Sequence, residues 1–134
     1  MDRRDFLFRG TTTVALATLS LSAKATTSNT LPPKNLIFTQ ENAGKWEKKR
    51  NSHIPDIVVK DGKVSIITNH GQSPRHYIVR HTLLLADGTV IGSTTFTHDD
   101  LPESVHALPT GYKGALFATS FCNKHDLWLA ETIV

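Results

Sequence analysis

The chain has 134 residues, 39% of them hydrophobic and 20% charged. After residues 1–25, the remaining length suits one small domain with a single core and is too short for two. The formal net charge is +3, but residues 1–25 hold four of the basic and two of the acidic side chains, so the remainder is near +1. This balance gives no reason to expect binding to nucleic acid or to a membrane surface.

The first 25 residues have the pattern of an export signal. Arg3 and Arg4 precede an uncharged, threonine-rich stretch at residues 10–22, and the small triplet Ala23-Lys24-Ala25 follows. Paired arginines with a weakly apolar middle favour the twin-arginine route, whose translocon carries folded proteins. A membrane anchor is the alternative, but the apolar run is shorter than the roughly 18 residues needed to span a bilayer. We predict cleavage after about Ala25 and a periplasmic location.

Residues 26–35 are rich in Thr, Ser and Pro and are interpreted as a tether to a domain at residues 36–134. Within that domain, Asp61-Gly62 and Asp87-Gly88 lie between apolar segments, a strong signal for two β-hairpins. Runs rich in β-branched and aromatic residues predict strands at residues 56–60, 63–69, 76–85, 89–96, 115–121 and 127–134.

No helical period is sustained over a dozen residues, although residues 99–106, with Pro102 near their start, are compatible with one short helical turn. Short strands with turn signals about every ten residues predict an all-β fold, an immunoglobulin-like β-sandwich of about seven strands. The strand at residues 63–69 is apolar on both faces near its middle, which favours a central position in its sheet.

Cys122 is the only cysteine, and His125 follows it by three residues. His53, His70 and His76 lie at predicted strand ends, where loops at one end of a sandwich can converge. Four imidazoles and one thiolate can fill five positions around a metal and leave a sixth for chemistry. In an oxidising compartment, metal binding is also one way to occupy a single thiol.

These residues resemble the superoxide reductases, also called desulfoferrodoxin or neelaredoxin proteins, from about Trp46 to Trp128. The family's His-hydrophobic-Pro element is matched by His53-Ile54-Pro55, and its two histidines six residues apart by His70 and His76. The final element, Cys-Asn-x-His-x-x-Trp, is matched by residues 122–128. The resemblance therefore covers most of the predicted domain.

The resemblance implies a mononuclear non-haem iron that reduces superoxide to hydrogen peroxide, with Cys122 as the catalytic thiolate. It also implies re-reduction by an external electron donor, such as a rubredoxin-like protein or a cytochrome, because a single cysteine excludes a second four-cysteine iron centre. Relatives often form dimers or tetramers, so a homo-oligomer is expected. The implied iron ligands are His53, His70, His76, Cys122 and His125.

The chain departs from the family pattern beside the site. Asn51 and Ser52 stand where the family commonly carries Glu and Lys, and Asp126 replaces a glycine after His125. Lys48 and Lys49 come slightly earlier and offer a positive field from another direction, although a solvated basic run is the simpler interpretation. We expect these changes to affect the rate and proton delivery more than metal binding.

Two alternatives come from other functional classes. A cupredoxin-like electron carrier also places Cys and His on loops of an exported sandwich, but it typically uses a nearby Met, and the only methionine here is Met1. An iron-binding module without fast superoxide turnover is the second alternative. The remaining histidines are interpreted as surface or hydrogen-bonded residues, and the tryptophans as packing residues; these are His81, His98, His106, Trp46 and Trp128.

Overall fold

A computed structural model describes residues 32–134 of the chain. The predicted export signal and most of the predicted tether lie outside the described residues. None of the helices within residues 32–134 is long and apolar enough to cross a bilayer.

The described chain is built from strands and very little helix. A 3-10 segment, Gly44–Lys49, runs directly into a one-turn helix α1, Arg50–His53. The eight strands are β1 (Ile37–Phe38), β2 (Pro55–Lys60), β3 (Lys63–Thr68), β4 (Ile78–Leu85), β5 (Val90–Thr95), β6 (Glu103–Ala107), β7 (Ala115–Cys122) and β8 (Asp126–Ile133).

The strands form two sheets, and the predicted all-β sandwich is confirmed. One sheet has five strands in the order β1-β8-β7-β4-β5, and the other has three in the order β2-β3-β6. Strand β3 is the central strand of the smaller sheet, as its apolar pattern predicted. All pairs are antiparallel except β1 with β8.

Both predicted hairpins are present, and the backbone explains their sequences. Asp61 and Gly62 have φ of 52° and 71°, the left-handed pair that a two-residue turn between β2 and β3 requires. Gly88 has φ of 87° in the β4–β5 connection, where the Asp87 carboxylate accepts the Thr89 amide at 2.9 Å. Aspartate and glycine tolerate these conformations, so the turns fix the register of both hairpins.

Three sequence predictions were wrong in detail. Residues 99–106 contain no helical turn; strand β6 occupies their second half and pairs with β3, so His106 lies in a strand. The strand predicted to open at His76 begins at Ile78 instead. The structure has eight strands against about seven predicted, and neither the two-residue β1 nor β6 was among the predicted runs.

The core lies between the two sheets. Its largest cluster joins β3 with β4 and β7 through side chains that are fully buried: Val64, Ile66, Leu83, Leu116 and Ala118. A second cluster stacks Phe38 on Trp128, with ring centroids 5.4 Å apart, beneath the 3-10 segment. Removing these apolar surfaces from water is the main force holding the sheets together.

Candidate metal centre

Strand register brings the predicted ligands to one end of the sandwich. The start of β2 pairs with the end of β3, Pro55 opposite Thr68. The start of β4 meets the end of β7, Ile78 opposite Cys122, and Cys122 in turn faces Asp126 at the start of β8. The segments that carry the predicted ligands all adjoin these strand ends.

The predicted ligands converge on one point. One ligand atom from each of His53, His70, His76 and Cys122 lies within 4.8 Å of all the others. His125 joins this group, because its Nδ1 atom is 3.1 Å from Nε2 of His53 and 3.0 Å from Nε2 of His76. The Nε2 atoms of His70 and His76 are 3.1 Å apart. We call these five residues the His4Cys cluster.

Cys122 lies against the imidazoles. Its Sγ atom is 3.7 Å from Nδ1 of His125 and 4.0 Å from Nε2 of His70. The side chain is fully buried and packs with Ile78 and Phe96. The short turn between β7 and β8 therefore presents the sulfur and the His125 ring to the same centre.

Hydrogen bonds outside the cluster fix two tautomers. Nδ1 of His53 lies 3.0 Å from the carbonyl oxygen of Lys49, which only accepts, so this nitrogen carries the proton. Nδ1 of His70 donates likewise to Oε1 of Gln72, an oxygen already accepting the Ile78 amide at 2.8 Å. The Nε2 lone pairs of both rings consequently point into the cluster, the arrangement of metal-binding histidines.

Burial keeps the imidazoles neutral. It lowers the pKa of His53 to about 4, with the other cluster histidines contributing. Burial also lowers the pKa of His70, His76 and His125, and the positive charge of Lys49 lowers all three further. Neutral imidazoles are the form that binds metals.

The thiol behaves differently from the imidazoles. Burial raises the pKa of Cys122, while the backbone N–H groups of Lys124 and His125 act in the opposite direction. A thiol held in this way ionises when a cation binds it, so metal binding at the His4Cys cluster releases a proton. Four neutral nitrogens and one soft sulfur suit a divalent transition metal, and iron is among those that such donors bind.

Several supporting residues were not predicted as part of the site. Asn123 ties the Cys122 turn to the His76 segment: its Oδ1 accepts the Tyr77 amide at 3.0 Å, and its Nδ2 donates to the Arg75 carbonyl at 3.1 Å. Its place in the Cys-Asn-x-His element was the available signal. Gln72, which orients His70, carried no such signal because nothing in a single sequence marks a loop glutamine as structural.

The residues left out of the site are indeed outside the cluster. His81 is buried in the core and hydrogen-bonded, and His98 lies 3.3 Å from Asp99 in a turn. Trp128 is buried, and its Nε1 donates to the His125 carbonyl at 2.8 Å. Ser52, where the family commonly has lysine, places its hydroxyl 2.8 Å from Nδ1 of His53.

Residues 44–131 match the family model described as desulfoferrodoxin, a span that includes the entire His4Cys cluster. The chain belongs to the desulfoferrodoxin family. The superoxide reductase of Pyrococcus abyssi (strain GE5 / Orsay) is 33% identical to it over an alignment of 106 residues, and the match covers 66% of this chain and 90% of that protein.

Solved structures of similar proteins share this fold. The superoxide reductase (neelaredoxin) from Ignicoccus hospitalis superimposes with a TM-score of 0.65 at 25% identity, covering 78% of this chain and 98% of that one. A hypothetical protein from Pyrococcus horikoshii OT3 is 30% identical with a TM-score of 0.56, covering 68% of this chain and 92% of that one. The alignments therefore cover more than nine-tenths of each of the two solved structures.

Proposed function

We propose that this chain is a superoxide reductase whose mononuclear iron is held by His53, His70, His76, His125 and Cys122. The observation that carries the proposal is the convergence of four imidazole nitrogens and one sulfur at one end of the sandwich. Membership of the desulfoferrodoxin family and similarity to proteins named superoxide reductase support it.

The chain's own residues would attract the anion and give protons access to the iron. Iron, when bound, supplies the single electron that superoxide accepts, and two protons complete hydrogen peroxide. Lys49 and Lys124 add positive charge beside the cluster, which draws a small anion towards it. His70 and His76 are only half-buried, so this side of the cluster is open to solvent and to protons.

The test uses the purified chain without residues 1–25. We expect about one iron per chain, superoxide consumption by the reduced protein, and one peroxide for each superoxide consumed. Copper in place of iron would support the cupredoxin-like alternative. Bound iron with no superoxide consumption would contradict the proposal in favour of an iron-binding module.

Lys49 is expected to speed the encounter with superoxide. Its charge lowers the pKa of His70, His76 and His125 beyond the effect of burial. Lys49→Gln should therefore lower the second-order rate several-fold at low ionic strength and by much less at about 0.5 M salt, where exposed charges are screened. Stopped-flow traces over a salt series measure this.

Lys48→Gln is the matched control, because it removes an equal charge one residue away. Wild-type rates and salt dependence in both variants would show that the basic run is merely solvated, and the lysine pair replaced together should then also behave like the wild type.

We further propose export to the periplasm through the twin-arginine translocon, followed by signal cleavage near Ala25. Replacing Arg3 and Arg4 together with lysine should keep the full-length protein in the cytoplasm with iron bound, since the paired arginines are the signal's recognition element. Fractionation and immunoblotting measure this. Periplasmic, cleaved protein from that variant would contradict the proposed route.

Re-reduction is proposed to come from a separate protein, either rubredoxin-like or a cytochrome, and assembly into a homo-oligomer is proposed from the family resemblance. The first is tested by following re-reduction of oxidised protein with each class of donor, and the second by measuring the molar mass in solution. Failure of both donor classes, or a monomer at all concentrations, would contradict the respective proposal.

A further inference from the structure

Asp126, the residue after His125, is held in an unusual conformation. It begins β8 with φ of 66°, in the left-handed region that residues with a Cβ rarely adopt. Its carboxylate oxygen Oδ2 accepts the indole N–H of Trp46 at 2.9 Å and lies 3.7 Å from Nζ of Lys45. The acid is thus anchored to the 3-10 segment across 80 residues of sequence.

Trp46, in turn, packs on a cluster histidine. Its ring meets the His125 ring edge to face, with centroids 4.6 Å apart and planes at 86°. The Trp46 amide donates to the carbonyl of buried Ala43 at 2.8 Å, so the residue is held through both its backbone and its indole nitrogen. The Asp126 carboxylate therefore fixes the ring that confines His125.

The same carboxylate acts electrically on two cluster residues. Asp126 follows His125 directly along the chain and is the strand partner of Cys122 across the β7–β8 turn. Lys124 lies in the same turn, between the two ligands. Asp126 and Lys124 are thus charges of opposite sign that act on the same sulfur and the same imidazole.

Lys45 does not cancel the Asp126 charge. The two side chains are 53% and 45% exposed and 3.7 Å apart, an ion pair at the surface that is worth little in water. The Trp46 N–H is a neutral donor, so it orients the carboxylate without neutralising it. The carboxylate therefore keeps its negative charge beside Cys122 and His125.

We propose that Asp126 and Trp46 are positioning residues for the metal centre: Trp46 confines the His125 ring, and the Asp126 carboxylate lowers the reduction potential of the bound iron. A nearby negative charge stabilises the oxidised, more positive state, so the reduced protein becomes a stronger one-electron donor. This inference rests on the proposed function, because it concerns iron held by the His4Cys cluster.

The charge is tested by redox titration of the iron-loaded protein, followed by its visible absorption. Asp126→Asn keeps an acceptor oxygen for Trp46 and tolerates the left-handed backbone, so it removes only the charge. We expect a more positive midpoint potential. Lys124→Gln should shift it in the opposite direction, and Glu131→Gln, which removes an equal charge from an exposed position on β8, should leave it unchanged.

We call the Trp46 ring, packed on His125 and hydrogen-bonded to Asp126, the clamp. It is tested by measuring the release of iron to a ferrous chelator. Trp46→Phe keeps an aromatic ring against His125 but removes the N–H, so the ring loses its tie to Asp126. Supporting groups around metal ligands are commonly worth ten- to a hundredfold in affinity, and we expect iron release about tenfold faster than in the wild type. Asp126→Asn, with the hydrogen bond intact, should release iron at nearly the wild-type rate.

The outcomes separate the two proposals. A wild-type protein that binds no iron, or that binds it and consumes no superoxide, would overturn the proposed function. If the wild type is active but Asp126→Asn has the same midpoint potential as the wild type and Glu131→Gln, the charge role alone is overturned. Unchanged iron release in Trp46→Phe would overturn the clamp. Should Asp126→Asn fail to fold, Asp126→Gly removes the charge while favouring the same backbone conformation.

Discussion

Replacing Cys122 with serine is expected to give a folded protein whose oxidised form lacks the visible thiolate-to-iron absorption band. The sulfur is fully buried and 3.7 Å from Nδ1 of His125, so a hydroxyl in its place cannot supply the same electron density to a metal. We expect superoxide consumption to fall by at least about a hundredfold, because loss of a ligand should cost no less than loss of a group that supports one, which commonly costs ten- to a hundredfold. Absorption spectroscopy and stopped-flow kinetics measure the two effects.

The fold should survive this change because the volumes of cysteine and serine are similar. Burying an extra hydroxyl among apolar neighbours costs about 2 kcal/mol, which lowers stability without unfolding a typical domain. Ser120→Ala, two residues earlier on β7, is a matched control that alters a buried side chain outside the cluster. An unchanged spectrum in Cys122→Ser would show that the sulfur is not an iron ligand.

The sequence predicted the hairpins and the cluster residues because both have local signals. Asp61-Gly62 encodes a left-handed turn within two residues, and Cys122 and His125 are three residues apart in a recognisable element. The antiparallel register then brings strand ends together without further information. The strand types and the convergence of the four histidines with Cys122 were accessible for this reason.

What the sequence did not predict depends on contacts between distant residues. Strand β6 follows Pro102 and acidic residues that favour a turn locally, but it forms because β3 offers an open edge and Ser104 faces a buried partner. The one-turn helix α1 is too short for its pattern to be detected, and it ends at His53, whose buried ring lies in the cluster. The Trp46–Asp126 contact joins residues 80 positions apart.

His81 shows the same limit inside the core. Its position in a strand was predicted, but not the network around it: Nε2 lies 2.8 Å from Oγ1 of Thr68, and Nδ1 lies 2.9 Å from Oγ of Ser104. Thr68 is also 2.8 Å from Oγ of Ser120 in the opposite sheet. The network joins the two sheets close to where β3 and β7 lead into His70 and Cys122.

This network makes stability depend on pH. Burial, with the neighbouring His106, lowers the pKa of His81 from its ordinary 6.5 to about 4. Between these two values the unfolded chain binds a proton that the folded protein does not, so the free energy of unfolding falls as pH decreases from 6.5 towards 4. From pH 7.5 to 4.5 the loss from this residue is about 2–3 kcal/mol, and it is fully recovered above pH 6.5.

His81→Gln removes the titrating group while keeping one hydrogen-bonding partner, so its unfolding free energy should fall less than that of the wild type over the same pH range. Urea unfolding of both proteins in the metal-free state at pH 7.5 and 4.5 measures the difference, and the titration of the cluster histidines cancels because both proteins contain them. His98→Gln, at a partly exposed site with an acidic neighbour, should retain the wild-type dependence. Parallel losses in His81→Gln and wild type would mean that protonation of the His4Cys cluster, and not of the core, governs acid unfolding.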